Sequence, residues 1–103
     1  MMELTPQQVF TLLDGVQIID VRESEELVDV MIPGAQHIPL GSIRGSHAAV
    51  DPTRPVIVVC RSGRRSDAAA EHLADAGFDA HTMRGGMLEW AASGFPMILP
   101  QLP

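Results

Sequence analysis

At 103 residues and 46% apolar content, the chain has the size and composition of one packed domain with a modest core rather than a disordered segment. A net charge of −6 argues against nucleic acid as the main partner, because phosphate contacts need a basic surface. A single cysteine excludes an intramolecular disulfide, a CxxC redox pair and a four-cysteine zinc site, and no apolar run is long enough to span a bilayer. One thiol without a disulfide fits a reducing compartment, most simply the cytoplasm. Met1-Met2-Glu3-Leu4-Thr5-Pro6 lacks the basic start and apolar stretch of a signal peptide, so none is expected. The expected organisation is one domain over 1–103, with a core from about 4 to 96 and an irregular tail over 97–103.

In chain order, Thr5-Pro6-Gln7-Gln8 reads as a helix start. Thr5 caps it, Pro6 suits the first helical position and Gln8 completes a capping box. Val9, Leu12 and Leu13 follow at helical spacing, and Asp14-Gly15 ends the segment. Val16 to Val21 predicts a short strand. Glu23 to Val28 predicts a short helix with its acids early, where the helix dipole favours them. Ile32-Pro33-Gly34-Ala35 is a turn. Gln36 to Leu40 is a very short strand bounded by proline, suited to a sheet edge or a bulge. Gly41 to Ala49 is weakly helical, and Asp51 to Pro55 is a loop.

Val56-Ile57-Val58-Val59 is an unbroken apolar run, the pattern of a parallel strand buried on both faces. Cys60 to Arg65 is a loop containing Gly63. Ser66 is expected to cap a helix that runs to Gly77. On that helix Asp67, Glu71 and Asp75 make a wet face, and Ala69, Leu73 and Ala76 a dry one. Asp79 to Met83 is a further strand, Gly85-Gly86 turns the chain, and a helix runs from about Met87 to Ser93. Alternating strands and helices imply an α/β domain with a mostly parallel sheet and helices on both faces. Sites in such folds form beyond the carboxyl ends of strands, where Cys60 falls.

The charge pattern singles out the same place. All seven positive residues are arginines, and Arg61, Arg64 and Arg65 lie within five positions of the only cysteine. Helix starts normally favour acids, so three bases here are unusual. A strand-end cysteine before a tight turn into a helix meets inward-pointing backbone N–H groups and the positive end of a dipole. These groups and the arginines favour thiolate over thiol, and would also hold an anionic substrate or a persulfide.

Ile19-Asp20-Val21-Arg22-Glu23, Ile32-Pro33-Gly34-Ala35, Val58 to Ser66, Ala76-Gly77-Phe78 and Gly85-Gly86 with Trp90 occur in order from about Ile18 to Phe95. Taken together, this succession resembles the rhodanese family of sulfurtransferases. The resemblance implies a rhodanese-like fold with a central sheet of about five strands. It implies that Cys60 takes a sulfane sulfur from thiosulfate or another donor and passes it to cyanide or a thiol. It carries the persulfide-binding loop over to Arg61, Ser62, Gly63, Arg64 and Arg65, ending at Ser66. Asp20 and Arg22 become a structural support after the first predicted strand. No metal or cofactor is called for, and no general base if Cys60 is already ionised. The expected partners are a small anionic sulfur donor and a thiophilic acceptor, with a protein donor or acceptor as an alternative, and no nucleic acid or membrane. Val30-Met31 departs from the Gly-His common at that point in the family, and the loop is richer in arginine than in many members.

Two further readings share this chemistry. One is a persulfide carrier acting between partner proteins. The other is a phosphatase or arsenate reductase on the same fold, which resembles cysteine phosphatases in needing arginine at the sixth position after the cysteine. Here Ser66 holds that position and Arg65 the fifth, so the loop is one residue short and suits sulfur better. His37, His47, His72 and His81 are scattered, with no pair at metal-ligand spacing on one element. Trp90 reads as a core anchor, and the acids from Asp20 to Asp29 as a solvated face, with a docking patch for a basic partner as the alternative.

Overall fold

The computed structural model describes residues 1–28 and 30–99. Among them, strands β1 (Glu3–Leu4), β2 (Gln17–Asp20), β3 (Gln36–His37), β4 (Val56–Val59) and β5 (Ala80–Met83) form one sheet in the order β1-β5-β4-β2-β3. Every strand pair is parallel. β4 lies in the middle and is buried at all four positions, which accounts for its continuous β-branched sequence. The register sets Ile19 beside Val58 and Asp20 beside Val59, so β2 and β4 end together, just below Cys60.

Helices α1 (Pro6–Leu12) and α3 (Gly86–Ala92) share a core with one face of the sheet, and α2 (Arg64–Asp75) shares one with the other. The alternation along β4 explains the division. Val56 and Val58 join Ala69, Ala70 and Leu73 of α2, whereas Ile57 and Val59 join Val9, Met87 and Trp90. Trp90 is fully buried, and its indole N–H donates to Pro96 O at 2.8 Å. The α/β architecture with helices on both faces is therefore as the sequence implies. The Thr5–Gln8 capping box is present in both directions.

Several boundaries differ from expectation. β1 has no signature in the sequence; two residues carry no period, and the strand exists only by pairing with β5, where Glu3 sits beside Thr82. The short helix expected over 23–28 is a 3-10 turn, Ser24–Val28, and the stretch after β3 is two more, Leu40–Gly45 and His47–Ala49. α2 starts at Arg64, two residues before the expected cap. Gly63, at φ +107°, is its N-cap, and Ser66 lies buried inside the first turn. Ala76 is exposed just past the helix end, and Ala70 takes its place on the dry face. The tail is not wholly irregular: Ile98 forms an antiparallel bridge with Met31 through both backbone groups at 2.9 Å. Residues 100–103 of the expected tail, and Asp29 of the acidic run, lie outside the described residues.

Candidate active site

Cys60 directly follows β4 and is 1% exposed. The chain then turns through Arg61, Ser62 and Gly63 into α2. Gly63 permits this turn because its positive φ is open only to glycine at low cost. The turn brings the Gly63 backbone N–H to 3.0 Å from Cys60 Sγ, to which it donates. The thiol lies 3.6 Å from Ser66 Oγ, and Ser66 Oγ donates to Gly63 O at 2.9 Å. A buried serine thus locks the turn that aims an N–H at sulfur. The first N–H groups of α2 have no intrahelical acceptor and bring the positive end of the helix dipole to the same place.

The loop is held from the other side by α3. Met87 N–H donates to Cys60 O at 2.8 Å, and Leu88 N–H to Arg61 O at 3.1 Å. This requires the backbone of Gly86 to lie against the loop. A Cβ at Gly86 would collide with both Cys60 O and Arg61 O, and its φ is +58°. The sequence showed Gly85-Gly86 only as a turn; its role as a bearing surface for the cysteine loop depends on a contact no local pattern encodes.

The arginines divide into two kinds. Arg65 makes a bidentate ion pair with Glu26, with Nη2 to Oε2 at 2.7 Å and Nη1 bonded to Oε1. That hydrogen-bonded pairing holds the Glu26 carboxyl well below its ordinary 4.5, at about 2, against a smaller opposing effect of burial. It correspondingly raises Arg65. Arg61 and Arg64 are exposed and have no ion-pair partner among the described residues. Ser62 is exposed at the tip of the turn. Three nearby arginines therefore amount to two free cations, and Glu26, not singled out from sequence, is the reason.

Asp20 and Arg22 are buried at the end of β2 as a fork, with Arg22 Nε and Nη2 on the carboxylate at 2.8–3.1 Å. Arg22 also donates to Glu26 O at 3.3 Å and to Val30 O at 2.7 Å. The fork does not touch Cys60. It ties down the segment from which Glu26 reaches Arg65. Among the described residues no cluster of three or more His, Cys, Asp or Glu side chains could hold a metal. The fold does, however, bring His47 and His72 together, with their Nε2 atoms 2.7 Å apart, although they lie on separate elements. No helix among the described residues is long and apolar enough to cross a membrane.

A parallel sheet that delivers one cysteine into a glycine-bent loop at a helix N-terminus defines an α/β protein with a thiol cradle. Comparison with known proteins gives that class its family. Residues 5–93 match the Rhodanese-like domain. A sulfurtransferase of Allochromatium vinosum is 33% identical over 89 residues, covering 85% of this chain and 83% of its own. The thiosulfate sulfurtransferase GlpE of Pseudomonas aeruginosa is 34% identical over 89 residues, covering 84% and 81%. The crystal structure of a rhodanese-related protein from Thermoplasma volcanium superposes with a TM-score of 0.93 at 26% identity, over 97% of this chain and all of that one. The chain belongs to the rhodanese-like domain family.

Proposed function

We propose that this protein is a sulfurtransferase that moves a sulfane sulfur from thiosulfate, or another small anionic donor, through a persulfide on Cys60 to cyanide or a thiol. The single observation that carries the reading is the Gly63 N–H held 3.0 Å from Cys60 Sγ at the start of α2. It is supported by the names of the similar sulfurtransferases from Allochromatium vinosum and Pseudomonas aeruginosa.

In the first half-reaction the Cys60 thiolate attacks the outer sulfur of thiosulfate. An S–S bond forms to Sγ, the bond to the sulfonate sulfur breaks, and sulfite leaves with the electron pair. Arg61 in the cysteine loop and Arg64 at the first position of α2 are exposed cations without an ion-pair partner among the described residues, and their charge lowers the cost of bringing a dianion to a thiolate. The persulfide anion is solvated by loop and helix N–H groups. In the second half-reaction an acceptor attacks the outer sulfur, the S–S bond breaks, and Cys60 recovers its thiolate. Cyanide leaves as thiocyanate. Each hard transfer becomes two displacements at sulfur.

The phosphatase reading has less support. The sixth position after Cys60 carries the buried Ser66 hydroxyl, bonded to Gly63 O, and the Arg65 guanidinium is engaged by Glu26. The test is to incubate the protein with thiosulfate and cyanide and, separately, with an aryl phosphate. Thiocyanate formation that Cys60→Ser abolishes, without phosphate release, is the expected result. Phosphate release without thiocyanate would contradict the assignment.

A further inference from the structure

His47 opens the 3-10 turn His47–Ala49, and His72 lies in the last turn of α2. Their imidazoles meet with the Nε2 atoms 2.7 Å apart and the ring centroids 4.9 Å apart. Phe78 packs edge-on against the His47 ring at 5.8 Å and steadies it from the side. Both histidines are half-buried, and neither has a carboxylate within ion-pair distance among the described residues. Between neutral rings this contact uses one Nε2 as donor and the other as acceptor. Moving that one proton from Nε2 to Nδ1 of the same ring, with no net proton lost, leaves two Nε2 lone pairs directed into one small space.

That is the arrangement a nitrogen-preferring cation needs. Two imidazoles sharing a cation at about 2.0–2.1 Å set their ring centroids about 5.2 Å apart in a tetrahedral site, and about 4.5 Å apart at adjacent corners of a square-planar one. The observed 4.9 Å lies between these values. The rings therefore need to tilt, with the Nε2 atoms parting by a few tenths of an ångström, and the elements that carry them can stay in place. We infer that His47 and His72 form a two-imidazole site for a divalent transition cation such as zinc or copper. Imidazole selects these ions over magnesium and calcium, which take oxygen ligands. Among the described residues no third His, Cys, Asp or Glu joins the pair, so water completes the coordination and the cation is exchangeable. Glu71 and Asp75, exposed on the same helix as His72, add negative charge that attracts it. The cation ties the His47 turn to α2, the helix whose start holds the cysteine loop, and stabilises the folded chain by binding only to it. Cys60 is not a ligand, so the inference is independent of the sulfur chemistry.

The test uses the untagged protein carrying Cys60→Ser, so that no thiol competes for metal. Titration calorimetry with zinc should show saturable binding of one ion per chain, and zinc should raise the thermal midpoint. The electron paramagnetic resonance spectrum of the copper form should show two imidazole nitrogens on one ion. In the same background His47→Gln and His72→Gln each offer the remaining ring a hydrogen-bond partner but remove one ligand. Each should weaken zinc binding by about tenfold or more, at least the loss caused by removing a residue that merely orients a ligand, and reduce the copper spectrum to one nitrogen. His81→Gln, on β5 beside Asp79, should change neither. Circular dichroism of the metal-free variants identifies those that are folded; if one is not, the other and the copper spectrum of the parent decide. Absence of one-to-one zinc binding, a single nitrogen in the parent spectrum, or unchanged affinity in a folded His47→Gln or His72→Gln protein would overturn the site and leave the contact a hydrogen bond only.

Discussion

Cys60 and Arg65 carry opposite lessons about reading charge from sequence. Three arginines near one cysteine look like a single cationic pool, yet Arg65 is engaged by a carboxylate 39 positions away, and local spacing gives no hint of that. The account therefore separates their effects. Arg64→Ala should raise the KM for thiosulfate about three- to tenfold, the size of a screened charge acting on a dianion, with the thermal midpoint unchanged. Arg65→Ala should lower the thermal midpoint, because it strands Glu26 and loosens the first turn of α2. Steady-state kinetics and melting curves on the two proteins separate the effects; a thiosulfate KM that moves only in Arg65→Ala would contradict the division.

The same pair predicts an acid dependence. Glu26 is held at about 2 in the folded chain against an ordinary 4.5, chiefly by the hydrogen-bonded Arg65. A depressed carboxyl contributes stability that is complete above pH 4.5 and fades as pH falls from there towards 2. The stability difference between the native protein and Glu26→Gln should be constant above that window and shrink through it. Denaturant melts at a series of pH values check this; a difference that stays constant down to pH 2 would show that the ion pair contributes nothing.

The loop between β4 and α2 takes its shape from three elements, and only one of them was visible locally. The buried run Val56–Val59 announces the strand, and Gly63 announces a bend. Local sequence points to Ser66 as the start of α2, because a serine before a helical pattern is the usual cap signal. Here the glycine turn caps the helix and the serine is spent on Gly63 O. The bracing by α3 was not legible at all, since it depends on Gly86 touching the backbone of Cys60 and Arg61 across the sheet end. Gly86→Ala should consequently cost at least about 1–2 kcal/mol from the left-handed backbone alone, with the collision adding to it. Persulfide formation should fall by more than the loss of folded protein explains, a comparison that activity per folded molecule makes directly. Gly63→Ala, whose added Cβ would meet only ordinary contacts at 3.6 and 3.8 Å, should suffer the backbone strain without the collision.

The order β1-β5-β4-β2-β3 was only partly readable from the chain. Alternating β and α signals imply a parallel sheet with two covered faces, and the unbroken burial of β4, whose side chains alternate between the two cores, fits that arrangement. β1 and the Met31–Ile98 bridge were not readable, because each is made by residues far apart in the chain pairing for only one or two positions. The meeting of His47 and His72 escaped for the same reason. Trp90 anchors the α1–α3 face, with Phe10 and Phe95 packed around it at ring distances of 6.2 and 5.0 Å. Trp90→Ala should cost about 3–5 kcal/mol in a denaturant melt. Because α3 also braces the cysteine loop, this core substitution should weaken the site as well as the fold.

All of these effects converge on whether Cys60 carries sulfur. Intact-mass measurement after brief exposure to thiosulfate tests that most directly. The native protein should gain the mass of one sulfur atom, lose it on addition of cyanide, and show no gain in Cys60→Ser. An unchanged mass in the native protein, or an equal gain in Cys60→Ser, would contradict the persulfide account.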